Sequence, residues 1–319
     1  MDADERSLFE DAVRRATEAG DGAALDAALA DLGWADALAA DPASAVSVLF
    51  ESQGAANATS SALDRVLSAA LGVPDLGAAA IILPPLRMSH APGRVSGSGA
   101  AVCGLGTAAL ARAPAAIVVA SADSVHKAFV VDTRALARRP VHGLDPALGL
   151  VQVTGDVDVA PAPGAGPADW DDAVARGQLA LGHELVGVAR TMLELARQHA
   201  LERMQFGRPI SSFQAVRHRL AEALVALEAA AALLTAVWEE PTPSAAALAK
   251  GLAGRSARTV ARHAQQVLAG IGFTAEHPLH RYVRRTIVLD QLLGAGGVLT
   301  STVGAGVLRS GALPVTLPL

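Results

Sequence analysis

The chain has 319 residues, which is enough for two domains or for one large domain with a substantial hydrophobic core. Its formal net charge is −5 and its pI is near 6.0, so neither a nucleic acid nor an anionic membrane is indicated as a partner. The single cysteine, Cys103, excludes an internal disulfide.

The expected location is the cytoplasm. One free cysteine is typical of a reducing compartment, and the acidic, polar start from Met1 to Glu10 is unlike a signal peptide. The hydrophobic fraction of 51% is high, but alanine supplies much of it. Because no run approaches the roughly 20 strongly apolar residues of a membrane span, no membrane segment is predicted.

Three regions differ in composition. Residues 1–73 are rich in alanine and helix-like, with Trp34 and an apolar string from Val46 to Phe50. Residues 74–160 contain short apolar runs bounded by Pro, Gly and Asp, which predict strands at Ala79–Leu83, Ala115–Ala120 and Ala128–Val131. The breaker-rich segment 161–167 predicts a linker.

The region after the linker has a helical period. Leu181, Leu185, Val188, Met192 and Leu195 fall on one face of a first helix. A second helix ends before Pro241, and a third is expected from about Ser244, its N-cap, to the Gly270–Gly272 turn. A fourth is expected to start near Pro278 and to continue past Leu292. Four long helices predict an antiparallel bundle.

The junction between the first two of these helices is unusual. It reads Glu202-Arg-x-x-Phe-Gly-Arg-Pro-Ile-x-x-Phe-Gln214. From spacing alone it could be a simple turn, with Gly207 ending one helix and Ser211 or Ser212 capping the next. A guanidinium, an aromatic ring and an amide at one junction could instead bind a nucleotide through its phosphate and base.

This junction closely resembles the C-terminal signature of flavin-dependent acyl-CoA dehydrogenases. The block Gln266–Arg284 resembles the same family, which has a Gln, a double-glycine turn, a Phe and an Arg there. The spacing of the two blocks also fits, and the resemblance covers about residues 170–310. On these motifs the chain is identified as a member of that family.

The resemblance implies an FAD site shared between subunits. In this family each FAD lies across a dimer interface, where one subunit holds the isoalloxazine ring and its neighbour contacts the ADP half. The residues that carry over to this chain are Arg203, Gln205, Phe206, Ile210, Gln214, Gln266, Val267, Ala269 and Gly270. Ala269 replaces the first of two glycines, a small change if its backbone is not at positive φ.

No catalytic residue is predicted. The family base is a Glu that removes the α-proton of the acyl-CoA, and its two known positions fall on Leu293 and at about Gly177. Neither side chain can accept a proton. The Thr and Gln that usually follow the later Glu are replaced by Ala295-Gly-Gly297.

The N-terminal half resembles the family less. A Thr-Glu-Pro and Gly-Ser-Asp loop, which lies against the flavin ring in full-length members, is missing, and only about 165 residues precede the bundle. Gly93–Gly99 and Gly143–Gly149 are expected in a shortened β domain.

Three other patterns occur in the sequence. Gly104-Leu-Gly106-Thr-Ala-Ala109, with Asp123 at a ribose-like distance, matches a dinucleotide fingerprint, but Pro114 would end its helix after two turns. His277 and His280 lack a third ligand, so no metal site is predicted. Two interpretations stay open for Arg284 and Arg285, CoA phosphate binding and ion pairing.

The sequence therefore predicts an α+β, mainly α fold of the acyl-CoA dehydrogenase type. Its parts are a truncated N-terminal helical domain at 1–73, a reduced β domain at 74–160, the linker and a four-helix bundle at 168–319. The predicted function is that of a non-catalytic subunit that completes the FAD site of a longer homologous partner in an α2β2 complex. By analogy with actinobacterial enzymes, the substrate would be a steroid-derived acyl-CoA.

Three rival hypotheses remain. The chain could be a homomeric acyl-CoA dehydrogenase that uses Glu184 or Asp290 as a displaced base. It could be a scaffold that has lost flavin, or a nicotinamide-binding protein that uses Gly104–Ala109.

Overall fold

A computed structural model describes residues 3–73, 80–96, 99–122, 125–161 and 168–312. Within these ranges the chain forms ten α-helices and ten β-strands, numbered α1–α10 and β1–β10 in chain order. Apart from residue 161, the predicted linker lies outside the described residues, as do Asp123 and part of Gly93–Gly99.

Five helices form the N-terminal region: α1 (Ala3–Ala19), α2 (Ala23–Asp31), α3 (Trp34–Ala40), α4 (Pro42–Ala56) and α5 (Ala62–Ala70). Asp41 caps α4 by accepting a hydrogen bond from the Ser44 amide. The indole of Trp34 donates to the Ala45 carbonyl at 3.1 Å. Phe50, like the rest of the apolar string, is buried, so this predicted string belongs to the core.

One mixed sheet forms the middle region. Its strands are β1 (Ala80–Ile81), β2 (Gly93–Ser96), β3 (Gly99–Gly106), β4 (Ala115–Ala122), β5 (Val125–Asp132), β6 (Ala137–Pro140), β7 (Val151–Asp158) and β8 (Ala160–Pro161). Their order is β6-β7-β3-β2-β4-β5-β8, with β1 beside β4. The three predicted strand runs correspond to β1, β4 and β5.

The two faces of the sheet pack into different cores. In β4, Ile117 and Val119 join the main core shared with the helices, while Val118 between them faces a second core on the other side. This alternation follows from the period of two in a strand. The sheet is therefore covered on both faces along β4.

The dinucleotide-binding interpretation is wrong. Gly104 and Gly106 lie inside β3, which pairs antiparallel with β7, and the chain continues into a short 3-10 turn at Ala108–Ala111 rather than an α-helix. A side chain at Gly104 would collide with the Leu83 carbonyl. Close strand packing therefore explains this glycine, and no helix N-terminus is present there to bind a phosphate.

The bundle contains five helices: α6 (Trp170–Glu202), α7 (Gln214–Val237), α8 (Pro243–Leu268), α9 (Leu279–Leu289) and α10 (Gly296–Ser310). The N-cap of α8 is Thr242, whose side chain accepts from the Ala245 amide, and not the predicted Ser244. The expected fourth helix past Leu292 is wrong, because a turn separates α9 from α10. Leu293 and Gly294 reverse the chain there with φ of 50° and 101°.

Helix α6 is the central element of the bundle. Four of its five predicted core residues are at most 1% exposed, and Leu195 is half-buried. Helix α4 crosses it at Gly54 and Gly187, where a Cβ on either glycine would collide with backbone of the opposite helix. The two helices therefore approach backbone to backbone, which attaches the N-terminal region firmly to the bundle.

Helix α7 is the one described helix that is long and apolar enough to cross a membrane by length and composition. It packs beside α6 and α8 in the bundle, and only 28% of its most apolar window is buried. Because core helices of soluble proteins pass the same test, α7 is weak evidence for a membrane protein.

Ala269, directly after α8, has a positive φ. It therefore does not meet the condition under which replacing the family's glycine by alanine would be a small change. Its φ is 52° and its ψ is −133°, a region that glycine adopts easily and alanine does not. The replacement of the family's first glycine is thus a strained substitution and not a small change.

Arg285 in α9 joins the three regions. Its side chain is fully buried, and every one of its N–H groups has an acceptor. The acceptors are the Asp145 carboxylate at 2.5 Å, the Glu184 carboxylate at 3.2 Å, the carbonyls of Ala58 and Asn57, and the Thr59 hydroxyl. Of the two interpretations left open for Arg285, the structure shows the buried ion pair, while Arg284 is exposed.

Ala269→Gly is expected to raise the free energy of unfolding by about 1 kcal/mol, because glycine relieves the positive φ. Ala229→Gly, on the exposed side of α7, is the control and is expected to lower it by about 1 kcal/mol. Urea titration of the three proteins measures both values. Destabilisation by both variants would contradict the strain at Ala269.

Arg285→Met is expected to lower the free energy of unfolding by about 3–5 kcal/mol, because it leaves buried carboxylates and carbonyls without a donor. Arg284→Met, one residue away and exposed, is expected to change it by less than about 0.5 kcal/mol. Equal effects in chemical denaturation would show that Arg285 does not join the regions.

Candidate functional site

The junction after α6 is a tight hairpin. Strands β9 (Met204–Gln205) and β10 (Arg208–Pro209) pair antiparallel, and Phe206 and Gly207 form the turn with φ of 53° and 76°. Two consecutive positive φ values are typical of a type I′ hairpin turn. The Ile210 amide donates to the Arg203 carbonyl at 2.8 Å and closes the base of the hairpin.

The simple helix–helix turn considered from spacing is therefore wrong in detail. Helix α6 ends at Glu202, five residues before Gly207. Neither serine caps α7, since the Ser212 hydroxyl instead donates to the Pro209 carbonyl at 2.7 Å. The sequence Phe-Gly serves to project a hairpin from the end of the bundle.

The hairpin presents its predicted site residues to solvent. Phe206 is 91% exposed, and Arg203, Gln205 and Gln214 are exposed as well, while Ile210 is half-buried. An aromatic ring left this exposed has no role in the core of this chain. The exposed guanidinium, ring and amides match the phosphate, base and polar edges of a nucleotide.

Two residues that the sequence prediction missed support this surface. The rings of Phe206 and Phe213 meet edge to face with centroids 6.0 Å apart. The guanidinium carbon of Arg208 lies 4.3 Å from the centroid of the Phe213 ring. Both residues were within the recognised motif, but their stacking depends on the hairpin geometry, which spacing does not reveal.

The second predicted segment lies at the C-terminal end of α8. Gln266, Ala269 and Gly270 are exposed. Val267 is 5% exposed and packs into the core, so its side chain is unavailable to a ligand. Phe273, in the 3-10 turn that follows, is 73% exposed and adds a second aromatic ring to this surface.

The two segments lie at the same end of the bundle. Helices α6 and α8 are separated in sequence by one antiparallel helix, so their C-terminal ends coincide. The lowered pKa values of two histidines, one near each segment, are consistent with this placement. Burial lowers the pKa of His199 near the end of α6, and the Arg203 charge lowers it further. Burial and the His199 charge together lower the pKa of His277, which follows the α8 segment.

Gly177 and Leu293, the two positions where the family's base is expected from the sequence, lie close together inside the protein. A Cβ on Gly177 of α6 would lie 2.5 Å from the Leu293 side chain and 3.0 Å from that of Leu67 in α5. Leu293 is 1% exposed, and its carbonyl accepts from the Gln178 amide at 2.8 Å. Apolar side chains therefore fill the space between these two positions.

The two carboxylates considered as displaced bases have other partners. Glu184 is buried against Arg285, and burial raises its pKa above the ordinary value while the Arg285 charge opposes this. Asp290, 6% exposed, forms an ion pair with Arg258 at 2.7 Å. Both carboxylates are therefore buried and engaged in ion pairs.

The described residues contain no cluster of three or more His, Cys, Asp or Glu side chains that could hold a metal ion. His277 and His280 organise the start of α9. The Nδ1 of His277 accepts from the Leu279 amide at 3.2 Å, and the Nδ1 of His280 lies 2.8 Å from the His277 carbonyl. Both are helix-start polar residues.

Several solved structures share this architecture. The steroid acyl-CoA dehydrogenase variant Tcur3481-Tcur3483 G363A superposes with a TM-score of 0.81 and 22% identity, over 97% of this chain and 99% of that one. The ChsE4-ChsE5 complex from Mycobacterium tuberculosis gives a TM-score of 0.79 and 23% identity, over 97% of each chain. At such identities the matches show a shared fold.

Curated relatives match about half of this chain or less. IpdE2 of Mycobacterium tuberculosis, an acyl-CoA dehydrogenase, is 36% identical over 155 residues, which cover 49% of this chain and 47% of that protein. FadE34 of the same organism is 40% identical over 140 residues, 40% of this chain and 20% of that protein. The chain thus spans about half the length, or less, of these curated relatives.

The family profile described as "Acyl-CoA dehydrogenase, C-terminal domain" matches residues 169–308, which include both segments of the candidate site. This range agrees with the bundle from α6 to α10. The chain therefore carries an acyl-CoA dehydrogenase C-terminal domain over residues 169–308.

Proposed function

We propose that this chain is the non-catalytic subunit of a heteromeric, flavin-dependent acyl-CoA dehydrogenase. It contributes the α6–α7 hairpin and the end of α8 to the FAD site of a longer homologous partner. The observation that carries this proposal is the contact between Leu293 and Gly177, because it fills the space where the family has its base.

The exposed segments fit the ADP half of FAD. Arg203 would pair with a phosphate, Phe206 would stack on an aromatic or ribose face, and Gln214 and Gln266 would donate or accept at polar edges. FAD, when bound, supplies the hydride acceptor of the reaction. The residues of this chain would hold and orient the cofactor, and the base and the acyl pocket would come from the partner.

Contacts other than that of Leu293 also close the region between the sheet and the bundle. The loop between β1 and β2 bridges the sheet and the bundle at two points. The Arg87 amide donates to the Gln291 carbonyl at 2.8 Å, and the Trp170 indole donates to the Ser89 carbonyl at 2.9 Å. An acyl chain entering between sheet and bundle would have to break these contacts and displace Leu293.

The rival hypotheses fit less well. A homomeric enzyme needs a free carboxylate at the pocket, whereas Glu184 and Asp290 are both buried in ion pairs. A scaffold without flavin does not need an exposed Phe206, Arg203 and Gln266. A surface that contains Phe206 and Phe273 is more consistent with one that is covered in an assembly.

Two solved neighbours support a proposal on the class of substrate and on the assembly. One solved neighbour is described as a complex, ChsE4-ChsE5, and another as a steroid acyl-CoA dehydrogenase. By analogy we propose an α2β2 complex, located in the cytoplasm, that introduces an α,β double bond into a steroid-derived CoA thioester. This part of the proposal rests on similarity of fold.

The lone chain is expected to be poorly soluble or flavin-free, and to take up FAD only when it is produced with a longer homologous partner. Purification of the chain alone and after co-expression with the product of a neighbouring gene, followed by absorption spectra, measures this. A yellow and active preparation of the chain alone would contradict the proposal.

Arg203→Ala is expected to weaken FAD retention in the complex by tenfold to a hundredfold, because a charge-assisted contact contributes about 1.5–3 kcal/mol. The control is Arg284→Ala, which also removes an exposed arginine. Equilibrium dialysis of both complexes gives the two affinities. If both variants retain FAD equally, Arg203 does not contact the cofactor.

A further inference from the structure

Lysine is rare in this chain, and one of its lysines is placed unusually. Of the 26 basic residues counted as Lys or Arg, only Lys127 and Lys250 are lysines. Lys127 is exposed, but Lys250 in α8 is 0% exposed. A fully buried lysine needs acceptors for its N–H groups, and its compact amine fits where a guanidinium would not.

The amine of Lys250 holds the turn between α9 and α10 at both ends. Nζ donates to the Asp290 carbonyl at 3.0 Å and to the Gly294 carbonyl at 2.5 Å. The Asp290 carbonyl belongs to the C-terminal end of α9, where backbone acceptors lack partners within the helix. One side chain therefore satisfies two carbonyls that bracket Leu293.

The turn itself is under backbone strain. Leu293 has a φ of 50°, which a residue with a branched side chain rarely adopts. Two further hydrogen bonds hold the turn from other elements, one from Gln178 to the Leu293 carbonyl and one from the Arg87 amide to the Gln291 carbonyl. A strained backbone persists only where its surroundings fix it.

We propose that Lys250 is a positioning residue that holds the α9–α10 turn inward, so that Leu293 fills the space beside Gly177 and this chain's own pocket stays closed. The inference deepens the proposed function, because the closed pocket is part of it. Its test uses neither flavin nor a partner, so a failure here is distinguishable from a failure of the proposed FAD site.

The charges around Lys250 make this contact sensitive to pH. Burial lowers the pKa of Lys250 to about 7, the Asp290 carboxylate opposes the shift, and Arg258 on α8 adds to it. Gly177 and Gln178, the residues of α6 that lie at the turn, are uncharged. The Asp290 Oδ1 atom is buried without a hydrogen-bond partner among the described residues.

The sign of the pH dependence follows from the two pKa values of Lys250. The pKa is about 7 in the folded state, against 10.5 for an unperturbed lysine. Between these values the unfolded chain binds more protons than the folded chain does. Stability from this group therefore rises as pH increases from about 7 to 10.5, and is lower below pH 7, where a charged amine is buried.

Hydrogen exchange of the full chain tests the proposal directly. In Lys250→Met the amides of residues 291–296 are expected to exchange at least tenfold faster than in the wild type, while those of the 203–210 hairpin keep their rates. Lys127→Met, the change at the other lysine, is expected to alter neither. Unchanged exchange at 291–296, or an equal increase throughout the chain, would overturn the positioning role.

A second measurement on the wild type applies even if Lys250→Met does not fold. Lysine labelled with ¹³C at Cε gives two NMR signals in this chain, one for each lysine. The Lys250 signal is expected to titrate near pH 7, with amide shifts at residues 291–296 following the same midpoint. A Lys250 signal that titrates near 10.5, the value of an unperturbed lysine, or turn amides that do not follow the Lys250 midpoint, would overturn the proposal.

Discussion

A single buried guanidinium fixes how the three regions of this protein meet. Arg285 cannot lose its charge, so its five N–H groups must find acceptors away from water. It finds them in the N-terminal region, at Asp145 beside the sheet and at Glu184 of α6. These contacts set the position of α9, and through α9 they set where the following turn falls.

The position of that turn connects architecture to function. Once α9 is fixed, Lys250 and Gln178 hold the next residues against α6, and Leu293 occupies the space beside Gly177. The exposed hairpin that contains Phe206 projects from the same bundle, at the C-terminal end of α6. We infer that this chain has lost its own substrate pocket and has kept the surface that contacts the cofactor of a neighbouring subunit.

Local sequence patterns predicted much of this structure. Short apolar runs identified β4 and β5, and a 3.6-residue period identified α6, because each pattern reflects which face of one element is buried. The hairpin motif was recognised from its residue types. Its turn geometry and the stacking of Arg208 on Phe213 could not be predicted, because they depend on backbone torsions and not on spacing.

What the sequence did not reveal depends on contacts between distant residues. The break between α9 and α10 replaced an expected continuous helix, because Leu293 and Gly294 adopt positive φ under restraint from other elements. The roles of Arg285 and Lys250 arise from acceptors up to 228 positions away. The effect of Ala269 depended on its φ, which the sequence could not supply and which is positive in the structure.

The number of flavins per complex tests the central claim most directly. If this chain completes its partner's site but has a closed pocket of its own, each heterodimer holds one FAD. Denaturing the purified complex and quantifying released FAD against protein should then give one flavin for every two chains. A ratio near one flavin per chain would mean that the Leu293 side of this subunit opens into a working site, and would contradict the account.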